Sequence, residues 1–354
     1  LTQLPDRVAP RAFRELWGVQ APDASDFPAP KIFNAANYQK NYHDPADDWG
    51  REGGILRCDE DGKNLEIFSR GFRNPWDICF DDGFTWLGTD NDQTHGDKIF
   101  SPFYGAHFGW GHPWSYDWMG DRHLPTVPAA GPLFEGSGTG VIFCGVPSWP
   151  EKYRGVFLIN DWLRRQVYIY RPKWDGAWLK PEKEKFDLFA HADGGRTMGK
   201  SEGRSFSPVD IEVGPDGAVW ISSWGREYGA KMSNGNQQNA GRIYRLWPKG
   251  VKAVFKPESK RAKPVREWSV RELLADLGSH LPVWRANASE ELVRRKEGMI
   301  GPLMDALRDD AKNETSLETW AAWTLGRIEP HLSLIHISEP TRRYAISYAV
   351  FCLK

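Results

Sequence analysis

The sequence predicts a mainly β chain of repeated antiparallel hairpins followed by a short helical region, and three observations predict it. Eighteen tryptophans, 35 glycines and 25 prolines among 354 residues suit many short strands and tight turns better than a helical bundle. The stretch "PWDICFDDGFTW" from Pro75 returns as "PVDIEVGPDGAVW" from Pro208. Beyond Pro257 the apolar residues change to helical spacing.

In the repeat, Pro75, Asp77, Ile78, Asp82, Gly83 and Trp86 match Pro208, Asp210, Ile211, Asp216, Gly217 and Trp220. An alternating strand that enters an Asp-Gly turn and leaves as a tryptophan-centred strand is a hairpin signature. The same grammar recurs at 53–68, 165–179 and 241–250. Repeated hairpins at this spacing mean propeller blades. With blades of roughly 40 to 50 residues, about three and a half fit between residues 53 and 256. A half-blade precedes Gly71, one runs through the tryptophan-glycine loop, one spans Gly138 to Phe189, and one spans Ser207 to Phe255. That number does not close a ring, and absent neighbours leave apolar faces and strand edges uncovered.

The other segments follow from composition. Residues 1–52 are poor in repeats and read as an irregular inter-blade segment, with one strand in "KIFNAANY". Residues 257–267 are a polar linker. Residues 268–331 carry two helix-turn-helix patterns, with Ser316 as an N-cap before Trp320, Trp323 and Leu325, like the start of a HEAT-type solenoid. The tripeptides at Asn287 and Asn313 lie on those helices and are read as chance matches to a glycosylation signal. In 332–354, "LSLIHISEPTR" and "ISYAVFCL" match translated sequencing-adapter segments, so this tail is set aside as non-native. The chain is therefore expected to be a fragment open at both ends.

Composition also limits function. A net charge of −1, without a basic block interleaved with aromatics, gives no nucleic-acid footprint. No run of about 18 apolar residues is present to span a membrane. Setting the tail aside leaves Cys58, Cys79 and Cys144, an odd set without CxxC spacing, which implies neither a disulfide framework nor a zinc site.

Four stretches carry candidate chemistry. Arg73 and Asn74 stand at the head of an innermost blade strand, at the end that faces the central channel. They either pack and cap the turn before Pro75 or hydrogen-bond the carboxylates and quinone oxygens of a planar anionic cofactor. Asp90, Asn91, Asp92 and Gln93 offer consecutive oxygen ligands, read as a calcium site or as a solvated turn. Trp110, His112 and Trp114 lie in "GAHFGWGHPW", either a loop on which a sugar stacks or a packed loop. Asp161 and Arg164 occupy a turn between two strands of one blade, where one of them reaches the channel.

Taken together, "GFRNPWDICF", "GDKIFSPFYGAHFGW" and "PEKYRGVFLINDWLRRQVY" resemble the six-bladed quinoprotein glucose and sorbosone dehydrogenase propellers. The likeness is greater to the membrane-bound dehydrogenase-like propellers of planctomycete-type bacteria, which join such a domain to HEAT repeats and a cytochrome c domain. It covers residues 53–331. It implies a partial six-bladed β-propeller that binds pyrroloquinoline quinone and calcium, oxidises a sugar or alcohol, and passes electrons to a cytochrome-type acceptor, with haem c in a C-terminal domain outside this chain. It also implies a periplasmic or secreted location. Arg73 and Asn74 fall where the family's quinone-contacting pair stands, and Arg164 falls where a cofactor-contacting lysine would be.

The departures are specific. The family's calcium turn is replaced by Asp90 to Gln93, and its paired arginines by Ser207 and Val209, with Arg204 nearby. The catalytic histidine is expected in an earlier blade; His43 lies in an irregular segment and is a poor substitute. This fragment alone is thus expected to be inactive. The alternatives are a non-catalytic propeller that binds polysaccharide or protein and a calcium-dependent lactonase-like hydrolase.

Overall fold

The computed structural model describes residues 53–57, 66–91, 97–104, 106–108, 127, 129–133, 137–191, 206–224, 241–251, 263–308 and 315–329. Segments 1–52 and 332–354 lie outside the described residues, as do Asp92, Trp110, His112 and Trp114. Within the described residues the chain is mainly β, with a C-terminal group of helices. No described helix is long and apolar enough to cross a membrane.

Sheet I pairs β1 (Gly53–Arg57) with β2 (Glu66–Phe72), and β6 (Ala106–His107) joins β2 in parallel. Sheet II is an antiparallel meander of β3 (Pro75–Phe80), β4 (Trp86–Asp90), β5 (Lys98–Phe100) and β7 (Gly131–Pro132). Sheet III follows as β8 (Gly138–Cys144), β9 (Val156–Asp161), β10 (Gln166–Tyr170) and β13 (Asp187–His191). Sheet IV holds β14 (Pro208–Val213), β15 (Val219–Ser223) and β16 (Arg242–Leu246). The Asp-Gly pair at 175–176 turns a separate hairpin, β11 (Pro172–Asp175) and β12 (Trp178–Pro181), inserted between the last two strands of sheet III.

Strand composition explains the stacking. β9 reads Val-Phe-Leu-Ile-Asn-Asp and is buried on both sides, as a strand between two sheets must be. Its Val156 and Leu158 pack with Ile211, Val213 and Ile221 of sheet IV. Phe157 and Ile159, on the opposite face, pack with Leu87 and Ile99 of sheet II. Ile55, Phe68 and Phe72 fill the space between sheets I and II with Phe100 and Phe108. Each such fully buried side chain contributes roughly 2 kcal/mol. On β14, by contrast, Ile211 and Val213 are buried while Asp210 and Glu212 are exposed, so sheet IV has one packed face and one open face.

The repeat holds over its first half and shifts in its second. β3 and β14 both carry a register irregularity after the proline, at Trp76 and Val209, and β8 carries one between Gly138 and Val141. The first strands of sheets II, III and IV are therefore kinked near their starts, as bulges do when they re-aim side chains. Both turns have five residues, with Asp81 donating to Thr85 and Gly214 to Ala218. That equality makes Phe84, not Gly83, the counterpart of Gly217. Trp86 then pairs Phe80 whereas Trp220 pairs Glu212. A one-residue offset sends a side chain to the other face: Trp86 stacks on Phe68 with ring centroids 4.7 Å apart, and Trp220 is exposed.

The helices are α1 (Val270–Leu277), α2 (Pro282–Arg295), α3 (Ile300–Arg308) and α4 (Thr315–Ile328). α1 begins with a capping box between Ser269 and Glu272, and Pro282 opens α2, where its missing N–H is no loss. α4 starts at Thr315, so Ser316 lies inside the helix and not at its cap. Leu273, Leu277, Leu292, Leu303 and Leu325 share one core. The Glu291 carboxyl lies between the guanidinium groups of Arg294 and Arg295 and is held down at about 2.

Candidate functional site

The first strand of each of sheets II, III and IV starts under a cap supplied by the end of the second strand of its own sheet. In sheet II the amides of Arg73 and Asn74 donate to the Asp90 carboxylate at 3.3 and 2.8 Å, and the Asn91 amide returns to the Asn74 carbonyl at 3.3 Å. In sheet III the Ser137 amide donates to Asp161 at 3.0 Å and Trp162 returns to the Ser137 carbonyl at 2.9 Å. In sheet IV the Ser207 amide donates to the Ser223 hydroxyl at 2.8 Å and Trp224 returns to Ser207 at 2.8 Å. Asp90, Asp161 and Ser223 thus hold one architectural position, and only its chemistry varies.

Asp90 is fully buried and also faces the Lys98 ammonium at 3.5 Å. Its oxygens are turned into the sheet, which gives this residue a structural role whatever its neighbours bind. Among the described residues no group of three or more His, Cys, Asp or Glu is arranged to hold a metal ion. Asp92, the remaining acid of the expected calcium turn, lies outside the described residues, as do the expected stacking residues Trp110, His112 and Trp114.

Sheets II and III are joined at this end. Arg73 Nη1 donates to the Asn91 carbonyl at 3.1 Å and to Asn91 Oδ1 at 3.3 Å, and Asn91 Nδ2 donates to the Ser137 hydroxyl. Ser137 in turn caps onto Asp161, which also accepts from the Arg164 amide at 2.8 Å and the Tyr168 hydroxyl at 3.2 Å. A continuous hydrogen-bonded chain therefore runs Arg73, Asn91, Ser137, Asp161, Arg164. Burial raises the Asp161 carboxyl above its ordinary value; the amide bonds and the Arg164 charge oppose that rise.

The predicted residues Arg73, Asn74, Asp90, Asn91 and Arg164 are thus brought to one end of two neighbouring sheets. Ser137 and Lys98 were not legible as members of the site. Ser137 precedes β8 in a stretch unlike the starts of β3 and β14, so the repeat offers no alignment to it.

A second acidic group lies along β3 and β14. Asp77 reaches across to the Val141 amide at 2.9 Å, and burial, with a contribution from Asp210, raises its carboxyl. Glu212 is exposed by area, yet the surroundings of its carboxyl and the charges of Asp210 and Asp77 raise it to about 7. Gly140 separates these strands: a side-chain carbon there would lie 2.8 Å from the Asp210 Cα.

No protein-family model and no curated protein matches the sequence. Among solved structures, the PQQ-bound aldose sugar dehydrogenase of Streptomyces coelicolor is similar at 16% identity and a TM-score of 0.39, over 56% of this chain and 53% of that one. The apo-form soluble aldose sugar dehydrogenase of Escherichia coli is similar at 18% identity and a TM-score of 0.33, over 47% and 46%. A glucose dehydrogenase is similar at 16% identity and a TM-score of 0.37, over 54% and 49%. The chain spans about half the length of these structures.

Proposed function

We propose that the chain is part of a six-bladed propeller of the quinone-dependent dehydrogenase kind, in which sheets II, III and IV are blades and the arginine-bearing end receives an anionic planar cofactor. Support comes from the chain of bonds between the Arg73 guanidinium and the Arg164 backbone amide, which ties together, at one end of adjacent sheets, two segments that each bear a guanidinium fork. Such forks suit carboxylates and quinone oxygens. Pyrroloquinoline quinone fits that donor set, with Arg73, Asn74 and Arg164 as the residues that would hold it. When bound, it would supply hydride acceptance from a sugar or alcohol hydroxyl. The role of the chain's own residues is to orient the carboxylates and balance their charge.

Calcium does not fit at Asp90, whose oxygens accept from the Arg73 and Asn74 amides. In the intact protein a histidine from another blade would take the substrate proton, and a haem c domain would take the electrons, in the periplasm or outside the cell. The helices would be the first HEAT-like repeats. A second reading, polysaccharide binding, is favoured by the exposed Trp174, Trp178 and Phe103, the last two with rings 6.2 Å apart.

Titrating the chain with pyrroloquinoline quinone, followed by tryptophan fluorescence, tests the proposal. Saturable binding that weakens roughly tenfold or more in Arg73→Ala and Arg164→Ala is expected. No binding by the intact chain, with binding of neutral oligosaccharide instead, sinks the quinone reading in favour of the second.

A further inference from the structure

The helices meet the sheets at the ends of the strands away from the arginines, and they do so at two turns in different sheets. Arg285 of α2 is buried and pairs with Asp82 in the β3–β4 turn. One residue earlier, the Trp284 indole donates to the Pro215 carbonyl in the β14–β15 turn at 3.0 Å. Leu281, just before α2, packs in the core shared by sheets III and IV and lies where a side-chain carbon on Gly217 would approach it at 3.5 Å. α4 adds Trp320 and Trp323, whose rings lie 5.1 and 5.2 Å from Phe84. Arg285 also sits 5.3 Å over the Trp320 ring.

Phe84 is the telling residue. It adopts a φ of 62°, a left-handed conformation unfavourable for a bulky side chain, at the position where the other turn has Gly217 with a φ of 82°. The contacts from α4 are what such a conformation needs to persist. The helical unit therefore holds the turns of sheets II and IV together, with sheet III between them. Farther along the strands the three sheets are tied by side chains: Thr89 Oγ1 donates to the Thr139 carbonyl at 2.5 Å, Thr139 Oγ1 to the Pro208 carbonyl at 2.9 Å, and the Val141 amide to Asp77.

We propose that the helical unit is an internal brace: by gripping the β3–β4 and β14–β15 turns through α2 and α4, it sets the spacing of sheets II and IV and keeps the inter-sheet seam at Asp77, Thr89 and Thr139 closed. Releasing the grip loosens the seam before it loosens the sheets.

Site-resolved amide hydrogen exchange on the full chain tests this, using Asp82→Ala and the milder Trp284→Phe, which keeps an aromatic side chain and removes the bond to Pro215. The brace predicts that the Val141 amide, bonded across sheets, exchanges about tenfold faster while amides paired within sheet III, such as that of Leu158, keep their rates. Unchanged exchange at Val141 in both variants overturns it. Equal acceleration of Val141 and Leu158 also overturns it, because the helices would then add only general stability. If Asp82→Ala does not fold, the same two outcomes are read from Trp284→Phe.

Discussion

The hairpins β3–β4 and β14–β15 start alike and end differently. Both open with proline, a bulge, then Asp-Ile; both turn in five residues. The first is capped by a buried carboxylate and carries Phe84 at its left-handed position, whereas the second is capped by a hydroxyl and carries Gly217. What the copies share is architecture and a helix contact at the turn, and what separates them is the chemistry of the cap at one end and of the left-handed residue at the other.

Removing the caps should separate the copies most. Asp90→Ala leaves two backbone amides and Lys98 facing a buried void and is expected to lose about 3 kcal/mol in urea unfolding, against about 1 kcal/mol for Ser223→Ala. Equal losses would mean that Asp90 is not the structural cap described here. At the turns, Phe84→Ala is expected to lose about 2 kcal/mol of aromatic contact. Phe84→Gly should be the more stable of the two variants by about 1 kcal/mol, since glycine accepts the left-handed backbone. Gly217→Ala should go the other way by about 1 kcal/mol, because its side-chain carbon would meet Val146 at 3.2 Å.

Smaller effects follow from the strand faces. Cys79 and Glu212 are counterparts; burial pushes the Cys79 thiol well above its ordinary value, so it stays neutral, while Glu212 titrates at about 7 in place of 4.5. Between those two values the folded chain holds a proton that the unfolded chain has released. Stability is therefore fully present below 4.5 and is lost as pH rises through about 7. Urea midpoints across this window should fall with pH in the intact chain and flatten in Glu212→Gln; parallel curves would remove Glu212 as the cause. The smallest effect should come from Arg245→Ala, which breaks a partly exposed pair with Asp216 at 2.7 Å and is expected to cost no more than about 1 kcal/mol, less at high salt.

The hairpins were legible because alternation and an Asp-Gly turn leave a local pattern. The facing of the second tryptophan was not. Aligning Trp86 with Trp220 assumes an extra residue in one turn, and the five-residue turns do not contain it. Arg73 and Arg164 stood out one at a time, but their link through Asn91 and Ser137 exists only once sheets II and III are neighbours. The grip of α2 on Asp82 joins residues 203 apart in sequence, and no periodicity carries information across that distance. In the other direction, a buried cap and a metal ligand call for the same side chain, so sequence alone does not separate the two roles at Asp90.

Arg73 and Arg164 are proposed to act as one site. A double-mutant cycle of Arg73→Ala and Arg164→Ala on quinone affinity tests it most directly. Coupling of about 1 kcal/mol or more between the two substitutions is the predicted result. Independent effects that simply add, or no effect of either substitution on binding, would mean that the two arginines do not share a site.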